Sequence, residues 1–181
     1  MSNLDLEICY LSASEAIEKF KNKSLSPVEL LTETIKRIEE VNPKINAFNF
    51  FRFEDALEEA KNSELKYTKN ESSKPLEGIP LAIKDEVNIT GQPNKNGSLI
   101  FKDTIAESTD IDVESLVNSG AILHARTTNP EFSLTSFCHS KVNGVTRNPW
   151  NLEMTPGGSS GGSAAALAAG CATLATGSDI G

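Results

Sequence analysis

Histidine is scarce in this chain: 181 residues contain only His124 and His139. A hydrolase of the Ser-His-Asp type needs an imidazole at a fixed place, so two histidines leave little room for one. Cysteine is scarce as well. Cys9, Cys138 and Cys171 are far apart and odd in number. They argue against a disulfide framework and fit reduced thiols in a cytosolic protein. No Cys-x-x-Cys pair occurs, and the adjacent Cys138 and His139 cannot by themselves build a four-ligand metal site. No metal or organic cofactor is expected. Basic residues are outnumbered: 17 Lys and Arg face 25 Asp and Glu, for a net charge of -8. That balance argues against a nucleic-acid partner, which needs a clustered basic face. No apolar run approaches the roughly 20 residues of a spanning helix. Met1 to Tyr10 has no basic residue, so it does not read as a signal peptide.

What is present suits one soluble domain with a real core: 38% of the residues are hydrophobic and 23% charged. The first third reads helical. Ser12 to Glu15 and Ser26 to Glu29 carry the capping-box spacing, the second with Pro27 at the first helical position. Val28, Leu31, Ile35, Ile38 and Val41 then recur at helical spacing, predicting a helix that ends near Asn42-Pro43. A third helix is predicted over 54–65, followed by a polar loop from Lys66 to Pro75. The character then changes. Gly78 to Ile83 is a short apolar run that predicts a buried strand, with Lys84 and Asp85 at its end. A helix is predicted over 112–119, a strand at Ala121 to Leu123, and an alanine-rich buried helix from Ser163 to Gly170. Helices alternating with short strands give an α/β fold class.

The stretch Thr155-Pro-Gly-Gly-Ser-Ser-Gly-Gly-Ser163 raises the question of function. A flexible linker would be flanked by polar sequence, whereas this segment runs straight into an apolar helix. A phosphate loop would end in Gly-Lys-Ser/Thr, yet no lysine follows Lys141. The pattern Gly-x-Ser-x-Gly occurs twice, centred on Ser159 and Ser160. An α/β-hydrolase elbow would need a preceding strand and a later histidine. Neither is evident, since 151–156 is no convincing strand and no histidine follows His139. Serine chemistry without histidine needs another base, and a lysine buried in an apolar site can serve when neutral. Lys84 follows an apolar strand. Taken alone, it reads better as an exposed residue at a strand end.

Three motifs together resolve that choice. Gly78-Ile-Pro-Leu-Ala-Ile-Lys84-Asp85, Pro156-Gly-Gly-Ser-Ser-Gly-Gly-Ser-Ala164 and Gly177-Ser-Asp-Ile-Gly181 resemble the amidase signature family in order and spacing, as do Asn148-Pro-Trp-Asn151 and Thr127-Thr-Asn-Pro-Glu-Phe132. The resemblance implies a mixed β-sheet core covered by helices. It implies amide hydrolysis by a Ser-cisSer-Lys triad. Lys84 matches the base, and Ser159 the serine beside a cis peptide bond that relays a proton. Ile180 and Gly181 match positions whose backbone N–H groups form the oxyanion hole. Gly157, Gly158, Ser160 and Asp179 match supporting positions. In the family the last motif continues with Gly-Ser, and that serine attacks. Residues 1–181 are therefore expected to be the N-terminal portion of one amidase domain, helical over 1–75 and α/β over 76–181, inactive alone and ending before the nucleophile. The implied substrate is a small-molecule amide, a homodimer is compatible, and the location implied is cytoplasmic.

Within the family, two departures favour a general amidase or a relative of the fatty acid amide hydrolases over the glutaminase subunit of a tRNA-dependent amidotransferase. They are Asn129-Pro130-Glu131-Phe132, where that subunit carries Asn-x-Asp-Glu-Phe, and Asp179-Ile180-Gly181, where it carries Asp-Thr-Gly. A non-catalytic scaffold is the alternative from another class. The remaining polar residues take plain readings: Asp85, Glu86 and Glu131 as solvated or loop-bonding carboxylates, His124 as a satisfied or partly exposed residue, Cys171 as a core thiol, and Trp150 as an anchor for the loop before the serine turn.

Overall fold

A computed structural model describes residues 5–71 and 74–179 of the chain. After a short helix α1 (Leu6–Cys9), α2 (Ala13–Lys21) and α3 (Pro27–Ile45) each start on a complete capping box. Ser12 accepts from the backbone of Glu15, whose carboxylate accepts from the Ser12 N–H, and Ser26 and Glu29 repeat the exchange. Each exchange satisfies two amides that a helix start otherwise leaves open.

Helix α3 does not end at the expected Asn42-Pro43. Pro43 sits inside its last turn, and the helix stops at Asn46, whose φ of 51° is left-handed. Carrying the helix this far buries Ile45. Asn42 then turns the chain: its Oδ1 accepts from the amides of Ala47 (2.8 Å) and Phe48 (3.2 Å). Strand β1 (Phe48–Phe51) follows inside the stretch read as helical. Helix α4 (Phe53–Thr68) runs three residues further into the expected loop than the sequence suggested.

The centre is a mixed sheet. β2 (Pro80–Lys84) lies parallel to β3 (Ile122–Thr127) on one side and to β6 (Leu174–Ala175) on the other, with β1 antiparallel to β3 at the edge. A small hairpin pairs β4 (His139–Ser140) with β5 (Gly144–Val145). Helix α5 (Ile111–Asn118) precedes β3, and α6 (Gly161–Ala168) precedes β6.

Strand β2 is buried along its whole length, so both faces of the sheet are covered. Leu81 and Ile83 pack with Val113 of α5 and Leu123. Ala82 and Ala125 pack with Ala165 and Ala166 of α6 and with Ile38 of α3. Small side chains on both partners let α6 lie close to the sheet. Helix α4 closes a further cluster through Ala56, Ala60, Leu31 and Ile122.

The β2–β3 register shifts between Leu81 and Ala82, whose partners are Leu123 and Ala125. The extra residue is His124, fully buried rather than partly exposed, with Nε2 donating to the Cys171 carbonyl at 3.1 Å. Burial pushes its pKa down to about 4, against hydrogen bonds to the backbone of Cys171, Leu81 and Ile122. An unfolded imidazole titrates near 6.5, so the unfolded chain binds the extra proton. Stability is complete above that value and falls as pH drops towards 4, by about 3 kcal/mol in all. We expect urea midpoints to fall over this window and His124→Gln to flatten the fall. An acid slope in the variant as steep as in wild type would assign it to other groups.

Candidate active site

Strand alternation sends Lys84 to the same side of the sheet as Ala82, towards α6. Its side chain is fully buried. Nζ lies 2.7 Å from Ser159 Oγ, 2.6 Å from Ser178 Oγ and 3.2 Å from Glu86 Oε1. An ammonium has three protons to donate, and here three oxygens surround it.

Ser159 is held by the turn that opens α6. Gly157 has φ of 87°, and the Gly158–Ser159 peptide is cis. A Cβ on Gly158 would stand 2.8–2.9 Å from backbone atoms of Thr135, Ser136 and Phe137, so only glycine fits there. Ser160 ties this turn to the chain after β6: its Oγ accepts from the Ser178 amide (3.1 Å) and donates to the Ser178 carbonyl (3.3 Å). That segment is also fixed to β2, because Thr176 Oγ1 accepts from the Lys84 amide at 2.9 Å. Helix α6 is docked by a Thr127–Ser163 hydroxyl pair at 2.7 Å and by the Gly162 amide donating to the Thr128 carbonyl at 3.2 Å.

Three segments distant in sequence thus meet at a cleft of about 690 Å³, lined among others by Ser133, Leu134, Ser159, Ser160, Ser178 and Asp179. Asp179 is exposed. Ile180 and Gly181, the expected oxyanion-hole positions, lie outside the described residues.

The carboxylates beside Lys84 depart from the solvated reading. Asp85 is buried, with its carboxylate 3.9 Å from Arg126 Nε. Burial pushes the Asp85 carboxyl up, offset in part by the Arg126 guanidinium, and pushes Arg126 down, offset in part by Asp85 and Asp110. Glu86 was missed as a site residue. The backbone turns directly after β2, with the Val87 amide donating to the Lys84 carbonyl at 3.2 Å, and this folds Glu86 back beside Lys84. Arg126 pins the turn from behind by donating through Nη2 to the carbonyls of Lys84, Asp85 and Val87. Burial pushes the Glu86 carboxyl up, but hydrogen bonds from Ser133 and Ser178 and the charge of Lys84 outweigh it and hold the group below the ordinary range. Glu131 keeps a loop role, accepting from Ser98 Oγ at 2.8 Å.

Other expected residues stand apart. Cys138 is buried and its Sγ donates to the Thr128 carbonyl at 3.4 Å, while His139 stacks on Phe137. Cys171 is buried, and burial pushes its thiol up to about 12. Trp150 is 86% exposed, so its side chain does not anchor the loop. Polar bonds hold that loop instead: Asn148 Oδ1 accepts from the Trp150 amide, and Arg147 Nη1 donates to the Leu152 carbonyl, both at 2.9 Å. Among the described residues no cluster of three His, Cys, Asp or Glu is placed to hold a metal ion.

Comparison with known proteins places this geometry in context. The family model described as Amidase matches residues 29–181. A glutamyl-tRNA(Gln) amidotransferase subunit from Methylacidiphilum infernorum is 42% identical over 97% of the chain and 34% of its own length. An indoleacetamide hydrolase from Bradyrhizobium diazoefficiens is 38% identical over 94% of the chain and 32% of its own length. The solved structure of a fatty acid amide hydrolase superposes with a TM-score of 0.92 at 26% identity, covering 99% of the chain and 32% of that protein. The chain spans about a third of the length of the curated relatives it matches.

The docking of α6 is directly testable. A Cβ on Gly162 would lie 2.3 Å from the Thr128 carbonyl oxygen and 2.5 Å from its amide nitrogen, both backbone atoms that cannot swing aside. Gly162→Ala is expected to destabilise the fold by about 1–3 kcal/mol. An unchanged urea midpoint would mean that α6 has room to lift.

Proposed function

The chain belongs to the amidase signature family, and on that premise we propose that it forms part of an amidase that hydrolyses small carboxamides by a Ser-cisSer-Lys route. The observation that carries the reading is the 2.7 Å contact between the buried Lys84 amine and Oγ of Ser159, a residue that lines an open cleft. In this reading Lys84, when unprotonated, takes the proton of Ser159 while Ser159 takes that of an attacking hydroxyl. That hydroxyl is assigned to no residue of 1–181. The relay returns the proton to the leaving amine. Backbone amides at Ile180 and Gly181 would receive the oxyanion. Gly157, Gly158 and Ser160 hold Ser159 in place. The reduced-thiol composition supports a cytosolic setting.

The 42% identity to a glutamyl-tRNA(Gln) amidotransferase subunit favours a second reading, in which the amide is glutamine and the ammonia passes to a partner complex. The segments Asn129-Pro130-Glu131-Phe132 and Asp179-Ile180-Gly181 favour the first. Rates of ammonia release by the full-length protein from glutamine and from simple acyl and aryl amides discriminate between them.

In the full-length protein, Lys84→Ala and Ser159→Ala should each lower kcat about 10²- to 10⁴-fold while circular dichroism stays unchanged. Near-normal turnover in Lys84→Ala would remove the base assignment and favour a scaffold. The 181-residue chain alone should neither hydrolyse amides nor react with a fluorophosphonate. Stoichiometric labelling of Ser159 or Ser160 would instead make one of them the nucleophile.

A further inference from the structure

A base that takes up a proton in a sealed site becomes a buried cation, and a buried cation without a counter-charge is costly. Lys84 is such a site, with its side chain fully buried. Among the described residues, Glu86 is the carboxylate that pairs with it, at 3.2 Å. Asp85, next in sequence, is instead committed to Arg126.

The surroundings of Glu86 are built to keep it charged and aimed. The hydroxyls of Ser133 and Ser178 help hold its carboxyl below the ordinary range. Ser178 Oγ accepts from Lys84 Nζ, so its own proton is free for Glu86. Ser133 Oγ accepts from Asn129 Nδ2 at 2.9 Å, so its proton is free as well, and a second Asn129 proton goes to Asn96 Oδ1 at 3.1 Å. Placing Ser133 there requires two consecutive left-handed residues without glycine, Phe132 at φ 53° and Ser133 at φ 56°. Such backbone persists only where the surroundings impose it. Glu86 keeps 19% of its side-chain surface exposed, so a small solute can reach the space it fills.

From this geometry we propose that Glu86 is a positioning residue of the reaction: it is the counter-ion of the ammonium formed when Lys84 accepts the relayed proton, and it holds Nζ against Ser159. The inference rests on the amidase reading above, with Lys84 as base. No bond beyond the proton relay already described is made or broken; Glu86 remains a carboxylate throughout.

The test uses the full-length protein and a simple aryl amide. Glu86→Gln keeps the size of the side chain and removes its charge. It is expected to lower kcat about 10- to 100-fold with KM changed by less than about threefold, since the lost interaction grows as the proton moves. In Glu86→Ala, added formate should restore kcat at least about tenfold by filling the vacated space with a carboxylate. Formate should do nothing for Lys84→Ala. A kcat in Glu86→Gln within about twofold of wild type overturns the proposal. Should that variant fail to fold, Glu86→Ala with and without formate decides, and absence of rescue overturns it. Normal turnover in Lys84→Ala is a different failure, because it removes the base reading beneath this one.

Discussion

A lysine side chain sealed from water dictates where the rest of the chain must go. Lys84 has no exposed surface, and its amine needs partners that the sheet itself does not supply. The three it has come from a turn directly behind it, from Ser159, 75 residues on, and from Ser178, 94 residues on. Each distance is within hydrogen-bond or ion-pair range, so the amine fixes a meeting point for three segments whose local sequence does not specify it. Ser160 makes the arrangement mutual by gripping the Ser178 backbone from the serine turn. Displacing any one segment would take a partner from the buried Lys84 amine.

The packing around this point follows from side-chain size. Ala82 and Ala125 on the sheet face Ala165 and Ala166 on α6, and the Thr127–Ser163 hydroxyl pair sits between them. Larger residues on either partner would lift α6 and carry Ser159 away from Lys84. The same closeness explains the glycines. Gly162 lies against the Thr128 backbone and Gly158 against the chain at 135–137, so these are places where two main chains touch. A glycine-rich stretch that reads as flexible by composition is therefore among the most confined in the molecule.

Much of this was legible in the residues. Both capping boxes, the β2 strand and the alanine helix follow from short-range spacing, which local physics decides. Lys84 and Ser159 were found through motif order, and they do meet. What escaped depends on long-range partners. Phe48-Asn-Phe-Phe has no pattern that marks four residues as an edge strand; pairing with β3 makes it one. Pro43 looked like a stop, yet burial of Ile45 and the Asn42 side chain carry the helix past it. Trp150 looked like an anchor because aromatic residues usually bury, whereas here the loop is held by polar bonds. Asp85 and Glu86 looked like surface carboxylates because nothing nearby in sequence announces Arg126, which comes 41 residues after Asp85.

Those two carboxylates show how one turn divides charge. Two basic side chains, Lys84 and Arg126, share this confined region with two acidic ones, Asp85 and Glu86, so each group has a partner of opposite type. Alternation at the end of β2 sends Lys84 to the α6 side, while Arg126, in register with Ile83, stands on the other. Asp85 joins Arg126, and the turn brings Glu86 round to Lys84. The environments then diverge. Asp85 has an arginine at 3.9 Å and an oxygen without a hydrogen bond, and burial pushes its carboxyl up. Burial pushes the Glu86 carboxyl up, but Ser133, Ser178 and Lys84 outweigh it and hold it down. The first pair braces the backbone from behind, where Arg126 also binds three carbonyls. The second lies beside Ser159 and Ser178, which line the cleft. Keeping the two pairs on opposite sides of one strand lets each basic group find its own carboxylate at a single turn.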